Sequence, residues 1–271
     1  MTRPRTEARN PRAAGLSTMS TRQLLELMNE EDSRGVAAVR DAIPQLERAV
    51  DAVVAALGAG GRLRYVGAGT SGRLGVLDAS EWPPTFGVEA DTARGIIAGG
   101  ERALWEGVEG AEDDAAAGDR DIRAAARLHD VVVGISASGR APYVLAALAA
   151  ARAMGVSTIA VTCDPSSPMT SAADVPVVVD TGPEVLAGST RLKAGTATKL
   201  VLNMLSTAAM VRLGRTRGDL MADLRAVNAK LRERAVGIVA AETGLSEAEA
   251  RARLERAEWD IRRAIGGTKR A

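Results

Sequence analysis

The spacing of apolar positions changes at residue 62, and the change separates two kinds of structure. Upstream, segments 20–29 and 32–57 carry apolar residues at helical spacing. Ser20 or Thr21 is placed to cap the first helix and the glycines of 58–61 to stop the second, while Pro44 interrupts that second helix or begins a new one. From Arg62 onward, short apolar runs at 63–66, 95–98, 130–135, 158–162 and 175–179 alternate with Gly-rich turns and amphipathic segments. Strands alternating with helices predict an α/β fold with a five-stranded, mostly parallel sheet covered on both faces. A long helix over 191–213 closes this region. Beyond Gly218 only helical patterning remains, and Ser246 with Glu249 forms a capping box within it. The first fifteen residues, dotted with Arg and broken by Pro and Gly, show no period and are expected to wrap loosely. The chain therefore divides into an N-terminal extension with helices (1–52), an α/β domain (53–217) and a C-terminal helical, UBA-like region (218–271).

Composition narrows the function. With 46% apolar and 25% charged residues the chain is an ordinary globular protein. Its 35 basic and 34 acidic residues leave a formal charge of +1, so no global field favours nucleic acid or an anionic membrane. Three Trp, two Tyr and one Phe give few platforms for base stacking. A single Cys, Cys163, and a single His, His129, make neither an intrachain disulfide nor a Cys/His zinc site, so metal would have to rest on carboxylates. Residues 1–20 lack the apolar stretch of a secretory signal, and no run of about 18 uncharged apolar residues spans a bilayer. The expectation is a cytoplasmic protein.

The chemistry is concentrated in two loops, Gly67-Ala-Gly-Thr-Ser-Gly-Arg73 and Gly134-Ile-Ser-Ala-Ser-Gly-Arg140. Each follows an apolar run and ends in Ser-Gly-Arg. Backbone N–H groups, hydroxyls and the positive end of a helix dipole then point at one place, as phosphate binding requires. In a parallel sheet both loops leave from the carboxyl ends of strands, where ligands sit. Gly67, Gly69 and Gly72 also spell a dinucleotide fingerprint. The next strand, however, ends in Ala98-Gly-Gly100 and lacks the acidic residue that would hold a ribose. Thr70 and Ser71, echoed by Ser136 and Ser138, suit a terminal phosphate instead. Ser189 and Thr190 are placed to cap the long helix and to offer a further anion site, with Arg191 and Lys193 adding positive charge.

With so little His or Cys, acid–base work falls to carboxylates or Lys. Glu81 lies at the end of the helix following the first loop, where Pro83 and Pro84 are expected to stop it and Trp82 to shield the carboxyl from water. Glu109 and Glu112 are spaced one helical turn apart on a shared face. A carboxylate pair in different environments can divide into acid and base. His129 reads as a turn residue and Cys163 as packing.

At these residues the chain resembles the N-acetylmuramic acid 6-phosphate etherases, a family built on the sugar isomerase (SIS) phosphosugar-binding domain. The shared segments run in order from Met19-Ser-Thr and Asn29-Glu-Glu-Asp32 through Gly67–Gly75, Leu77-Asp-Ala-Ser-Glu81, Pro83-Pro-Thr-Phe-Gly87 and Val108-Glu-Gly-Ala-Glu-Asp-Asp114 to Gly182-Pro-Glu184, Gly188-Ser-Thr-Arg191 and Lys199-Leu-Val-Leu-Asn-Met-Leu-Ser-Thr207. The resemblance implies an SIS-type three-layer αβα sandwich and a lyase of cell-wall amino-sugar recycling. Such an enzyme cleaves the lactyl ether of its substrate, yielding N-acetylglucosamine 6-phosphate and D-lactate without metal or redox cofactor. It places the acid on Glu81 and the second catalytic glutamate, the base, on Glu112. Thr70, Ser71, Ser136, Ser138, Ser189 and Thr190 fall on phosphate and sugar positions, with Glu109 a sugar contact, in a homodimer. Trp82 stands where the family commonly has Cys, Ser136 where Ala is common, and Ala141 where Thr is usual. The last two resemble the glucokinase regulatory proteins, which bind a phosphosugar without turnover. A non-catalytic phosphosugar sensor is thus the alternative, and an aldose–ketose phosphosugar isomerase a third.

Overall fold

A computed structural model of the chain describes residues 4–266, so the outermost positions of the two terminal regions, 1–3 and 267–271, lie outside the described residues. The apolar runs become five strands: β1 (Leu63–Gly67), β2 (Ala93–Ile97), β3 (Val131–Ile135), β4 (Ser157–Thr162) and β5 (Val175–Val178). All pair parallel, in the order β2-β1-β3-β4-β5. Gly67 at the end of β1 stands opposite Ile97 on one side and Ile135 on the other, so three carboxyl ends finish level. Every residue of β1 and β3 is buried, the signature of a parallel sheet covered on both faces. The chain turns outward to β2 on one side of β1 and to β3 on the other. The crevice outside β1 and β3 is therefore the topological switch point, where such folds bind ligands.

One face of the sheet is covered by α1 (Thr21–Asp41), α2 (Ile43–Gly58), α3 (Gly69–Phe86) and a long helix, Lys193–Arg212. Tyr65, Val133 and Ile135 there meet Val53, Trp82, Leu202 and Leu205. On the other face α4 (Ala115–Ala125), α5 (Pro142–Ala153) and α6 (Met169–Ala172) pack Ile122, Tyr143, Leu148 and Met169 with Val66, Val132 and Ala160. The long helix is α7. Three further helices, α8 (Ala229–Thr243), α9 (Glu247–Arg256) and α10 (Ile261–Ala264), enclose a core of their own around Val236, Val239, Leu254 and Ile261. The Ser246–Glu249 capping box opens α9 as expected.

Several elements differ from the sequence expectation. α1 starts after its cap Ser20 but runs unbroken to Asp41, and the interruption falls at Ala42. Pro44 takes the second position of α2, where its missing N–H has no intrahelical partner to lose. β2 lies slightly upstream of its predicted position, at Ala93–Ile97. α3 continues through Pro83 and Pro84 to Phe86, because buried Trp82 and Phe86 fasten that last turn to the core. It stops at Gly87, whose φ of +65° lets its N–H reach the Pro83 carbonyl at 3.0 Å.

The N-terminal stretch does not wrap loosely. Residues 4–19 form three short 3-10 turns laid against the sheet's carboxyl edge. The Arg5 N–H donates to Asp164 at 3.1 Å, the Gly188 N–H to the Thr6 carbonyl at 3.2 Å, and the Asn10 amide to Glu31 at 2.9 Å. These ties are polar and long-range, so hydrophobic periodicity carries no trace of them. No helix among the described residues is long and apolar enough to cross a membrane.

Candidate functional site

Three hydroxyl-bearing segments meet at the switch point. The first is the β1–α3 turn, where α3 begins two residues after β1 ends. A Cβ on Gly67 would fall 2.6 Å from the Gly72 nitrogen, and one on Gly72 would fall 2.6 Å from Ile97 Cγ1. Those two glycines serve the close approach of helix and strand, which explains the fingerprint without a dinucleotide. Ala68 caps α3 with no side-chain hydrogen bond, leaving the first-turn N–H groups open beside half-buried Thr70 and Ser71. An open helix start of this kind is where N–H groups and the helix dipole together favour negative charge.

The second segment follows β3. Ser136 Oγ accepts the Gly139 N–H at 3.1 Å and Ser138 Oγ the Arg140 N–H at 3.4 Å, so each hydroxyl keeps its own proton to donate. Gly139 has a φ of +62°, and a Cβ there would collide with Ser167 Oγ at 1.7 Å. The third is the turn before α7. Ala137 packs with Ala194 and Cys163, while a Cβ on Gly195 would lie 3.4 Å from the Thr190 carbonyl and 3.7 Å from Thr70 Cγ2. Through the start of α7 the three segments touch one another.

Ser189 and Thr190 do not cap α7. The chain makes one more turn through them, and α7 opens only at Lys193. The cap comes from Glu184, 1% exposed, which accepts the Lys193 N–H at 3.2 Å and the Ala194 N–H at 3.0 Å. Burial raises its pKa above the usual carboxylate range, against the pull of those two N–H groups and the Lys193 ammonium. Lys193 adds no free charge to the cradle. Its ammonium is buried in an ion pair with Glu31, which Asn10 also bonds, whereas Arg191 is exposed.

The acidic residues are arranged differently from their spacing. Glu109 precedes Gly110, at a φ of +73°, and Glu112 lies in the 3-10 turn Ala111–Asp113, so the two share no helical face. Both nevertheless line a cleft of about 220 Å³ together with Ala68, Gly69 and Arg73. This places them beside the β1–α3 turn. Glu81 is elsewhere: it lies twelve positions beyond Gly69 on α3, about 18 Å along the axis at 1.5 Å per residue. It is exposed, and Trp82 does not shield it. Adjacent helical residues point roughly 100° apart, and the 1% exposed Trp82 ring turns into the core, where its indole N–H reaches Asp78.

The two residues read as structural are so. His129 occupies the turn before β3 with a φ of +76°. Cys163 is buried against the Ala194 carbonyl and Thr198, and burial pushes its thiol up to about 12. Sequence reasoning missed Glu184, Asp78 and Arg73. For Glu184 the one available signal was an acidic residue in Gly182-Pro-Glu184 ahead of a helix start.

The glucokinase regulatory protein N-terminal SIS domain model matches residues 45–152, and the SIS domain model matches residues 113–208. N-acetylmuramic acid 6-phosphate etherase of Aeromonas hydrophila is 50% identical over 96% of this chain and 88% of its own length. The protein of the same name from Geobacillus thermodenitrificans is 51% identical over the same shares. Among solved structures, an E. coli CFT073 protein superposes with a TM-score of 0.54 at 20% identity, covering 74% of this chain and 97% of that one. A phosphoheptose isomerase from Francisella tularensis gives 0.52 at 17% identity, covering 70% and 98%. These likenesses establish the SIS fold.

Proposed function

The chain belongs to the N-acetylmuramic acid 6-phosphate etherase family, and on that premise we propose that it cleaves the D-lactyl ether of N-acetylmuramic acid 6-phosphate. Water is consumed, and N-acetylglucosamine 6-phosphate and D-lactate are formed. The observation that carries this reading is the cleft in which Glu109 and Glu112 stand against the open N-terminus of α3. The phosphate is held by the first-turn N–H groups of α3 with Thr70 and Ser71, by Ser136 and Ser138, and by Ser189 and Thr190. Glu109 contacts the sugar.

An isolated ether resists hydrolysis, but in the ring-opened sugar the C1 aldehyde acidifies the proton on C2. Glu112 removes that proton, the C2 electron pair forms a C2–C3 double bond, and the C3–oxygen bond breaks. Glu81 protonates the departing lactate oxygen. Water then adds to C3 of the unsaturated aldehyde and a proton returns to C2, so the sum is one ether and one water converted to two alcohols. The chemistry draws on no metal or redox cofactor.

About 18 Å of α3 separates Glu81 from the cradle of its own chain, which supports delivery of the acid by a second copy. Thr70, Leu74, Leu77 and Glu81 follow one another at helical spacing on α3, and Leu77 is 51% exposed. Two such faces crossing about a twofold axis set each Glu81 toward the other's Thr70. The enzyme is thus a homodimer with Glu81 acting in trans.

The test is D-lactate release by the purified protein and by Glu81→Gln and Glu112→Gln. Both variants should lose turnover, and mixing them after reversible dissociation should restore about a quarter of wild-type activity, since half the dimers are mixed and each holds one intact site. Full turnover in both single variants would overturn the assignment of the two glutamates. Tight phosphosugar binding with no lactate would indicate a sensor, the reading that Ser136, Ala141 and the glucokinase regulatory protein match favour. Isomerised sugar without lactate would indicate an isomerase.

A further inference from the structure

The acidic loop that carries Glu109 and Glu112 is weakly held by its own backbone. From Gly100 to Asp114 each backbone N–H that bonds another carbonyl finds it within four residues, as in Ala103 to Gly100, Glu106 to Arg102 and Ala111 to Val108. Such bonds shape a loop without fixing it to anything else. Its local side-chain bond, Arg102 to Glu106, is likewise internal. Apart from the joins to β2 and α4 at its two ends, the hydrogen bonds among the described residues that fasten this loop to another element are two, and both come from Arg73. Arg73 Nε donates to the Leu104 carbonyl at 3.2 Å and Nη2 to the Glu106 carbonyl at 3.0 Å.

Arg73 sits in the first helical turns of α3, four positions beyond Gly69, and lines the same cleft as Glu109 and Glu112. Its rigid fork joins the helix that offers N–H groups to phosphate with the loop that presents carboxylates to the sugar. Glu101, Glu106, Glu109, Glu112, Asp113 and Asp114 crowd that loop with like charge. Arg73 is the basic residue among those that line the cleft.

The echo between the two Ser-Gly-Arg loops then acquires a meaning distinct from phosphate contact. Arg140 also turns toward the loop after a strand, reaching the Ser166 carbonyl at 3.4 Å. In the second loop Ser136, Ser138 and Gly139 build the turn, in the first Ser71 and Gly72 already belong to α3, and in both the arginine fastens a neighbouring loop beside it. At Arg140 the clasp is long and reaches one residue; at Arg73 it is short and spans two.

We propose that Arg73 is a positioning residue that fixes the distance between the phosphate cradle and the Glu109–Glu112 loop, so that Glu112 meets C2 of a sugar held by its phosphate. The role rests on the etherase reading given above. A base displaced by about 1 Å can cost on the order of 100-fold in rate while leaving the phosphate anchored. Arg73→Met, which keeps the stem and loses all donors, should lower kcat by roughly that factor with KM changed by less than about threefold. Arg73→Lys, a single point donor that cannot bridge two carbonyls, should fall between.

The experiment pairs kinetics with hydrogen exchange on Arg73→Met, Arg73→Lys and the wild type. Expected are faster exchange across 101–113 in Arg73→Met, unchanged exchange in α5 and β3, and a loss confined to kcat. Added guanidinium ion should recover part of the rate in an Arg73→Gly variant. Unchanged loop exchange would overturn the tether, and faster exchange with wild-type kcat would overturn the positioning role. A raised KM at constant kcat would make Arg73 a substrate ligand and overturn the proposal. Should the wild type release no lactate, the etherase reading fails, and the exchange result alone still decides whether the tether exists.

Discussion

The Trp82 indole N–H donates to Asp78 Oδ2 at 3.1 Å, one helical turn back along α3. Asp78 is 5% exposed and also takes Tyr65 Oη at 2.8 Å, Asn203 Nδ2 at 2.8 Å and Ser206 Oγ at 3.1 Å. Four neutral donors from β1, α3 and α7 thus converge on one buried carboxylate. The arrangement fixes the register of α3, and with it the direction in which Glu81 leaves the helix.

Asp78→Asn should be strongly destabilising. An amide replaces one acceptor oxygen with a donor; the hydroxyl facing it can turn to accept, but the N–H facing it, from Trp82 or Asn203, meets another donor in the core. At about 1–3 kcal/mol for an unsatisfied buried group, urea unfolding should show a loss in that range. Trp82→Phe removes one donor and keeps most of the ring, at a cost of about 1–2 kcal/mol. Its turnover should stay within about twofold of wild type, because the ring faces away from Glu81. A turnover loss larger than that at full folding would return Trp82 to the surroundings of the acid.

Glu184 should separate binding from chemistry. Glu184→Ala leaves the Lys193 and Ala194 N–H groups without their cap, worth about 1–2 kcal/mol at a helix start. The turn bearing Ser189 and Thr190 spans from this carboxylate to the helix it caps. Loosening that turn should raise KM for the phosphosugar several-fold, by a factor on the order of 10, with a smaller effect on kcat. Glu184→Gln keeps one acceptor oxygen and should fall between. Equal KM values in all three proteins would detach this turn from phosphate binding.

The parts that the sequence disclosed are those with local causes. β3 reads as a strand because a doubly covered parallel strand is apolar at every position, and Ser20 and Ser246 read as caps because each bonds three residues ahead. The Ser-Gly-Arg loops were legible because only glycine permits the Gly67–Gly72 contact. What stayed hidden was set by distance in space. Thr6 and Asn10 are held by residues far along the chain, and the cap of α7 lies beyond an intervening turn. Glu81 and Glu112 read as a pair in the motif order, yet the cleft that Glu112 lines does not include Glu81, because order along the chain says nothing of distance across the fold.

The Glu31–Lys193 pair predicts the acid limb of stability. Both side chains are buried, 3% exposed, where α1 meets α7, and the Asn10 amide and the Arg12 guanidinium also reach Glu31. Burial by itself raises the Glu31 pKa, but the Lys193 ammonium, the Asn10 hydrogen bond and Arg34 outweigh it and hold the carboxyl below its usual 4.5. Asp130 has the same balance, burial opposed by Arg62 and by the Arg127 N–H, and ends below 3.8. A carboxyl with a depressed folded pKa is protonated first in the unfolded chain. Its stabilisation is therefore whole above the unfolded value and is lost as pH falls through the folded one. The part of the urea midpoint that these two carboxyls supply should be level down to about 4.5 and decline below it. Glu31→Gln leaves a buried ammonium unpaired and should cost about 3–5 kcal/mol near neutral pH. Its deficit against wild type should shrink once Glu31 itself is protonated, and replacing Lys193 by Met in the same protein should recover much of the loss. A deficit that stayed constant down the acid limb would show that the pair is not what holds the N-terminal turns to α7.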